Sequence, residues 1–256
     1  MTDQPAVRYE VAHSVATLTL NDPEGRNSLT DETKNGLGRG LTTAIEDEAV
    51  RLVVIRNEGH VFCAGANLKT SVRPVETEFS LVQILNLILD SPKPVLAAIS
   101  GHCIGGGVGL AAACDLSIAV EGAKFGFTEV RLGVTPAIIS VVCLPKMRRS
   151  DAMELFLTGS RFTAVKAAEV GLINSAVPLN GFEVACEDLI NDVLLGGPTA
   201  VGICKQLVNA VPGMKREEAF DWTYELSRGL FASDEAAEGI AAFQEKREPK
   251  WVPSGR

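Results

Sequence analysis

An uncharged segment between residues 94 and 114 constrains the fold more than any other feature of this chain. It contains three consecutive glycines within HCIGGGVGLA at residues 102–111 and no side chain that is ionised at neutral pH. Glycine gives up side-chain burial and helix propensity. Its repeated use here predicts a place where the backbone itself must approach another group closely.

The same segment has one feature of a membrane helix. Gly101, Gly105 and Gly109 have the small-xxx-small spacing of transmembrane packing faces. However, Pro94 begins the segment, the glycine run interrupts it and Asp115 follows it. These breaks favour a buried strand, a tight loop and a buried helix, and we predict no membrane association.

Short apolar runs alternate with helical patterns at intervals of roughly 40 residues, which is typical of an α/β core with parallel strands. After about residue 136 helical patterns dominate. We therefore predict a core at residues 1–197 and a helical C-terminal region at residues 198–256. The predicted strands are 7–11, 16–20, 51–57, 94–100 and 116–120, and the main predicted helices are 30–45, 76–89, 198–211, 215–229 and 233–246.

Composition narrows the class of ligand. The chain has 24 Lys and Arg against 32 Asp and Glu, a net charge of −8, which disfavours nucleic-acid binding. Its six cysteines form no C-x-x-C pair and lie among apolar residues. They are expected to be buried thiols rather than metal ligands. The first ten residues show no targeting pattern, so we expect a cytoplasmic protein.

Two loops are candidates for the functional site, at residues 62–69 and 101–107. Each follows a predicted parallel strand, so they can meet beyond the carboxyl ends of the sheet. Glycines at a helix start leave N–H groups free to bind a phosphate or a developing oxyanion. A dinucleotide fingerprint fails because Leu110 stands where its third glycine belongs, and no Gly-Lys-Ser/Thr of a P-loop follows. A purely structural strand-to-helix crossing remains the alternative.

Glu129 is the candidate acid/base. Its neighbours Phe127, Val130 and Leu132 can form an apolar cleft that raises its pKa, although an acid near a helix start can also be structural. Asp115 is interpreted as a turn or helix-end acid. His102 is expected to be structural, and without a third partner it forms no hydrolase triad with Ser100.

Several stretches together resemble the enoyl-CoA hydratase/isomerase, or crotonase, superfamily. The resemblance runs in order from about residue 7 to residue 251. It is carried by NDPEGRNSLT (21–30), FCAGANLK (62–69), PKPVLAAISGHCIGGGVGLAAACDLSIA (92–119), FGFTEVRLGVTPA (125–137), LTGSRFTAVKAAEVGLI (157–173) and EGIAAFQEKREPKW (238–251).

The resemblance implies a spiral of ββα units with a helical C-terminal trimerisation region, and a homotrimer or a hexamer built as a dimer of trimers. It implies an acyl-CoA substrate, with coenzyme A as part of the substrate, and no metal or other cofactor. In such proteins two backbone N–H groups hold the thioester oxygen as an enolate forms. These match Ala66 and Gly106, and the catalytic Glu matches Glu129.

The resemblance also implies a set of coenzyme A contacts. Residues 66–69 would line the nucleotide end, while C-terminal residues would reach the ligand, often from a neighbouring subunit. The implied contacts are Arg26, Ala66, Asn67, Leu68, Lys69, Gly106, Phe243 and Lys246. The acyl pocket is expected in the 70–90 segment, where Val72, Phe79 and Val82 are candidates.

Three positions differ from the family pattern in ways that bear on which reaction is catalysed. Gly109 stands where two-carboxylate hydratases carry a second Glu, and Ala137 stands where some dehalogenases and dienoyl-CoA isomerases carry an acid. Asn67 replaces the usual Asp. The Thr128–Ser140 stretch resembles bacterial methylglutaconyl-CoA hydratase-type proteins. This favours a hydratase-like lyase acting on a short or branched 2-enoyl-CoA. A Δ3,Δ2-enoyl-CoA isomerase and a non-catalytic acyl-CoA-binding protein remain alternatives.

Overall fold

The computed structural model describes residues 4–67 and 77–253. A larger sheet has the strand order β1-β2-β3-β5-β7-β10, and a smaller one has the order β4-β6-β8-β9. The strands are β1 (Val7–Ala12), β2 (Val15–Leu20), β3 (Leu52–Asn57), β4 (Val61–Cys63), β5 (Val95–Ile99), β6 (His102–Ile104), β7 (Leu116–Val120), β8 (Lys124–Gly126), β9 (Phe162–Thr163) and β10 (Ser175–Val177).

Helices surround these sheets and continue beyond them toward the C-terminus. They are α1 (Asp31–Glu46), α2 (Leu81–Asp90), α3 (Gly106–Ala113), α4 (Ala137–Cys143), α5 (Arg149–Thr158), α6 (Ala164–Glu169), α7 (Phe182–Leu195), α8 (Pro198–Ala210), α9 (Arg216–Phe231) and α10 (Asp234–Glu245).

The larger sheet is parallel apart from the β1–β2 pair. From β2 onward each strand pairs in parallel with its neighbours. All five residues of β5 are buried, as expected for a strand covered on both faces. The predicted α/β architecture with parallel pairing is therefore confirmed.

The chain repeats one unit, in which a long strand of the larger sheet is followed by a short strand of the smaller sheet and a helix. The units β3–β4–α2 and β5–β6–α3 show this most clearly, and the predicted spiral of ββα units is confirmed. The loops predicted at 62–69 and 101–107 are wrong in part, because β4 extends into the first and β6 lies within the second. The sequence pattern also does not predict β8. These strands have three residues each, too few to show an alternating pattern.

Helix starts follow their capping residues. The Thr30 hydroxyl accepts a hydrogen bond from the Thr33 N–H, which fixes the start of α1 as predicted. Ser80 and Gln83 form a capping box at the start of α2. That helix begins at Leu81, and residues 77–80 before it are not helical. The predicted helix is therefore too long at its start, and Glu76 itself lies outside the described residues.

Buried charged side chains attach the C-terminal helices to the core. The Lys205 ammonium of α8 lies 2.8 Å from the Asp115 carboxylate, and both side chains are largely buried. The Arg51 guanidinium donates to the Leu194 and Trp251 carbonyls at 3.1 and 2.6 Å. Asp115 is thus structural, as expected. The predicted division at residues 197 and 198 coincides with the start of α8 and remains a prediction.

Two features outside the sheets bear on the earlier expectations. Within residues 4–67 and 77–253, no helix is long and apolar enough to cross a membrane. Five of the cysteines are buried as predicted, whereas Cys204 is exposed on α8. The expectation of burial is therefore wrong for Cys204, because it lies on a helix of the C-terminal region with few buried positions.

Candidate functional site

Two backbone segments meet beyond the carboxyl ends of β3 and β5. Gly65 has a φ of +80°, and a Cβ at this position would lie 2.8 Å from the Gly106 nitrogen and 2.9 Å from the Ile104 carbonyl oxygen. Only glycine permits both this conformation and this approach. The absence of a side chain at residue 65 thus lets the Ala64–Ala66 segment lie directly against the start of α3.

This contact places two backbone donors side by side. Gly106 is the first residue of α3, where N–H groups have no carbonyl one turn earlier to bind. Among the described residues, no backbone hydrogen bond from the Ala66 or Gly106 N–H is found. Ala66 is exposed and Gly106 is half-buried. Together the two N–H groups can form a small anion-binding site with the positive end of the α3 dipole behind it.

The loop at residues 21–29 holds the first of these segments in place. The Ala64 N–H donates to the Arg26 carbonyl at 3.1 Å, and the Leu29 N–H donates to the Gly65 carbonyl at 2.8 Å. Inside the loop, the buried Asn27 amide donates to the Glu58 and Val61 carbonyls. Asn27 was not identified from the sequence, although the Asn-rich turn around it could have drawn attention.

The Glu129 carboxylate lies over the glycine loop. It belongs to a 3₁₀ turn, Thr128–Leu132, that follows β8. A Cβ on Gly105 would lie only 3.1 Å from the Glu129 Oε1 atom. Gly105 immediately precedes Gly106, so the carboxylate lies next to the N–H pair. The structure thus brings together Ala66, Gly106 and Glu129, the three residues that the family resemblance implies.

The surroundings of Glu129 disfavour its charged form. Its Oε2 atom is buried and has no hydrogen-bond partner among the described residues. Burial raises the pKa of the carboxyl above its ordinary value, and a hydrogen bond from its own backbone opposes the shift. A carboxylate with a raised pKa accepts a proton more readily than an ordinary one, and it can return that proton in a later step.

A hydrocarbon wall lies one helical turn further along α3. A Cβ on Gly109 would lie 2.1 Å from the Cγ2 atom of Ile139 on α4. Ile139 is 3% exposed. Cys143 lies one turn after it on the same helix, and burial raises its thiol pKa to about 12, with a further increase from Glu129. The side of α3 that continues from Glu129 is therefore apolar.

A cleft of about 1040 Å³ opens beside these groups. Thr128, which precedes Glu129, is among the residues that line it, whereas Gly106 and Glu129 are not. The lining also includes Arg26, Ala66, Asn67 and a set of basic side chains. These basic residues are His102, Lys124, Arg131 and Arg161.

The cleft gives a protein with a net charge of −8 a locally basic surface. Lys124, Arg131 and Arg161 were not identified from the sequence, because a single basic residue carries no sign of whether it lines a cleft. His102 is exposed, and its Nδ1 atom accepts a hydrogen bond from the Lys124 N–H at 3.1 Å. It thus has the structural role expected of it, on the wall of the cleft.

Other predicted contacts lie elsewhere. Leu68, Lys69 and Val72 are outside the described residues. Phe243 is 85% exposed on α10, and Lys246 follows that helix. Neither lines the cleft of the same chain, so their predicted approach from a neighbouring subunit remains a prediction.

The two described candidates for the acyl pocket do not line the cleft. Phe79 lines a separate cavity and packs on Gly38 of α1, where a Cβ would lie 2.1 Å from its ring. Val82 is 46% exposed. Glu129 and Gly106 do not line this cleft either, so the role of Phe79 and Val82 in an acyl pocket remains a prediction.

Comparison with known proteins gives a consistent result. The family model described as "Enoyl-CoA hydratase/isomerase" matches residues 10–253. A Thermus thermophilus protein provisionally named as an enoyl-CoA hydratase is 35% identical over 96% of this chain and 100% of its own length.

Two further proteins extend the similarity. The (E)-benzylidenesuccinyl-CoA hydratase of Thauera aromatica is 31% identical over 95% of this chain and 97% of its own. The crystal structure of an enoyl-CoA hydratase from Mycobacterium smegmatis superposes with a TM-score of 0.90 at 29% identity, covering 97% of this chain and 99% of the other.

Proposed function

The chain belongs to the enoyl-CoA hydratase/isomerase family, and from this premise we propose that it adds water to a short or branched 2-enoyl-CoA as a hydratase-like lyase. The observation that carries the proposal is the position of the Glu129 carboxylate over Gly105, beside the N–H group of Gly106. A proton-transfer group and an oxyanion site are thereby adjacent, as enolate chemistry requires.

In the proposed mechanism the thioester oxygen accepts hydrogen bonds from the Ala66 and Gly106 N–H groups. These donors are held by backbone contacts, so they need no reorganisation when negative charge develops on the oxygen. A preorganised donor of this kind is worth about 3 kcal/mol of transition-state stabilisation. No metal, nicotinamide or other cofactor enters the proposed reaction.

The hydration step balances with one carboxylate. Glu129 takes a proton from water as the water oxygen bonds to C3, and the C2=C3 electrons move toward the thioester oxygen to give the enolate. The enolate then collapses and C2 takes the proton from Glu129. The raised pKa of Glu129 supports this double role, since a more basic carboxylate accepts the proton more readily.

The cleft supports a coenzyme A ligand. Coenzyme A carries several negative charges on its phosphates, and Arg26, Lys124, Arg131 and Arg161 provide complementary positive charge along the cleft. Such local charge binds and steers an anionic ligand even on an acidic protein. We propose that the acyl-CoA lies along this cleft with its thioester at Ala66 and Gly106.

Isomerisation of a 3-enoyl-CoA is the second candidate, and the contact between Gly109 and Ile139 favours it. Proton transfer between C2 and C4 needs one carboxylate and no water. Glu129 and the apolar wall beside it meet that requirement.

The test is turnover of crotonyl-CoA and of a 3-enoyl-CoA by the wild-type protein in water labelled with heavy oxygen. A hydratase incorporates the label at C3, whereas an isomerase moves the double bond without incorporating it. Retained acyl-CoA binding with no turnover of either substrate would overturn the proposal and leave the binding-protein alternative.

We also propose a homotrimer, or a hexamer formed as a dimer of trimers. Large apolar side chains of the C-terminal helices are exposed in the single chain, including Phe220, Phe231 and Phe243. Sedimentation analysis of the wild type and of Phe243→Ala, with acyl-CoA affinity measured on both, tests the assembly and the proposed approach of Phe243 and Lys246 to a neighbouring ligand. A monomer with full affinity would contradict both.

A further inference from the structure

Helices α3 and α4 meet at Gly109 without space for a side chain. A Cβ added there would lie 2.1 Å from Ile139 Cγ2, 2.7 Å from Ile139 Cβ and 3.5 Å from Ile139 Cα. Real Cβ atoms do not approach other atoms to 2.1 or 2.7 Å. Ile139 is buried, and a change of its rotamer would leave the overlap with its Cβ in place. A side chain at residue 109 and the isoleucine side chain at residue 139 therefore cannot both be accommodated in this packing.

The contact lies one helical turn from the residue that faces Glu129. The Gly109 N–H donates to the Gly105 carbonyl at 3.3 Å. Glu129 faces Gly105 and Ile139 faces Gly109. Ile139 therefore packs on α3 one turn, about 5 Å, beyond the residue that the carboxylate contacts. Cys143, one turn after Ile139, lies within the electrostatic influence of Glu129.

This arrangement has a chemical consequence. Hydration involves two proton movements, one from the water and one to C2, and one carboxylate must carry out both in sequence. A second acid near the start of α3 would divide these tasks. Isomerisation needs one group that removes a proton at one carbon and returns it at another, so a single carboxylate suffices.

We propose that Ile139 determines reaction specificity, by keeping the start of α3 next to Glu129 free of a second acid. The inference rests on the proposed function, since it concerns the balance between hydration and isomerisation at the same site. The proposed role requires no contact of Ile139 with the N–H pair or with the Glu129 carboxylate. The Ile139 side chain acts by filling the space that a side chain at residue 109 would need.

The principal test places a Glu at position 109 with and without Ile139. Gly109→Glu alone overlaps Ile139, and we expect both activities to fall. In Gly109→Glu/Ile139→Gly the Cβ and Cγ2 atoms of residue 139 are gone. The Cβ of residue 109 then lies 3.5 Å from the Cα of residue 139, which is an ordinary contact. We expect the ratio of hydration to isomerisation to rise about 100-fold above the wild-type ratio, the lower end of the effect of a well-placed acid or base.

Two related variants serve as controls. With Ile139→Ala the Cβ at 2.7 Å remains, so this substitution should restore the Gly109→Glu variant only in part. Ile138 is the neighbouring residue on α4, and its side chain is 49% exposed. Ile138→Gly puts the same glycine into the same helix without opening the contact, and it should give no rescue.

A measurement of thermal stability tests the overlap between residues 109 and 139 without relying on enzyme activity. Gly109→Ala should lower Tm by about 2–8 °C in the wild-type background through overpacking. In the Ile139→Gly background the same change should have little effect. Equal effects in both backgrounds would overturn the proposed exclusion.

The two proposals fail in different ways. If the wild type is active but Gly109→Glu/Ile139→Gly has the same ratio as Ile139→Gly, the role of Ile139 is overturned and the proposed function stands. If the wild type turns over neither substrate, the proposed function is overturned, and the specificity role of Ile139 with it.

Discussion

The Glu129 carboxylate and the backbone of Gly105 are in such close contact that a Cβ on Gly105 would lie 3.1 Å from Glu129 Oε1. This contact sets the position of the acid/base group relative to the N–H group of the next residue, Gly106. Gly105 has a φ of +55°, so the loop needs glycine there for its conformation as well as for this approach.

Gly105→Ala is expected to lower kcat by about tenfold or more, because the methyl group displaces the carboxylate from its position beside the N–H pair. Steady-state kinetics with the preferred acyl-CoA tests this. Gly133→Ala is the matched control. Gly133 has a φ of +76°, and a Cβ added there would meet no atom within 4 Å. Because Gly133 ends the turn that carries Glu129, this variant strains that turn without placing an atom against the carboxylate. If kcat falls equally in the two variants, backbone strain alone explains the loss of activity in Gly105→Ala.

Gly106→Val is expected to abolish turnover while the protein remains folded. A Cβ on Gly106 would lie 2.8 Å from Leu29 Cδ1, so a branched side chain here crowds the space in front of the N–H pair. Circular dichroism checks the fold and acyl-CoA titration checks binding. Gly122→Val is the control, since a Cβ there meets no atom within 4 Å. Normal kinetics in Gly106→Val would contradict the oxyanion-site assignment.

Much of the fold and of the candidate site can be predicted from sequence patterns. The features that cannot be predicted depend on how elements pack against each other. The parallel strands β3 and β5 are predictable because their residues form continuous apolar runs. Glycines at 65 and 105–107 are likewise visible, and they indicate close backbone approach. The exclusion at Gly109 is different, because it depends on how α4 packs against α3. The sequence shows that glycine is present there, and only the packing identifies Ile139 as its neighbour.

The basic cleft is a second case of this kind. Lys124, Arg131 and Arg161 lie up to 37 residues apart along the chain, and each resembles an ordinary surface charge on its own. They come together because β8, the following 3₁₀ turn and the segment before β9 meet at one edge of the smaller sheet. The short strands that bring these residues together are also not predicted from the sequence, because a strand of two or three residues is too short to show an alternating pattern.

The thermal stability of Glu129→Gln, relative to the wild type, is expected to depend on pH. The pKa of Glu129 in the folded protein is raised, so the folded state binds the proton more tightly than the unfolded state does. Its contribution to stability is therefore complete below the unfolded pKa of about 4.3 and is lost as the pH rises through the raised value.

It follows that Glu129→Gln removes an unfavourable charge at pH 7. Tm of the variant should exceed that of the wild type at pH 7, and the difference should vanish toward pH 4. Glu217→Gln on the exposed surface of α9 is the control, with little change at either pH. A Tm for Glu129→Gln that is below the wild-type value at pH 7 would contradict the unfavourable burial of this carboxylate.

Lys205→Ala is expected to destabilise the protein by about 3–5 kcal/mol, because it leaves the Asp115 carboxylate buried without its cation. Burial raises the pKa of Asp115, and Lys205 opposes that rise. Urea denaturation measures the loss. Lys215→Ala provides the comparison, since Lys215 is 86% exposed in a 3.9 Å pair with Glu218. Similar unfolding free energies for the two variants would show that the Asp115–Lys205 pair does not attach α8 to the core.

The most direct test of the proposed chemistry compares acyl-CoA turnover and acyl-CoA binding in the wild type and in Glu129→Gln. The substitution keeps the shape of the side chain and removes its ability to accept a proton. We predict a kcat lower by about 100-fold or more, with the dissociation constant for a non-reactive acyl-CoA nearly unchanged. Full activity in Glu129→Gln would contradict the central claim that this carboxylate transfers the proton beside the N–H groups of Ala66 and Gly106.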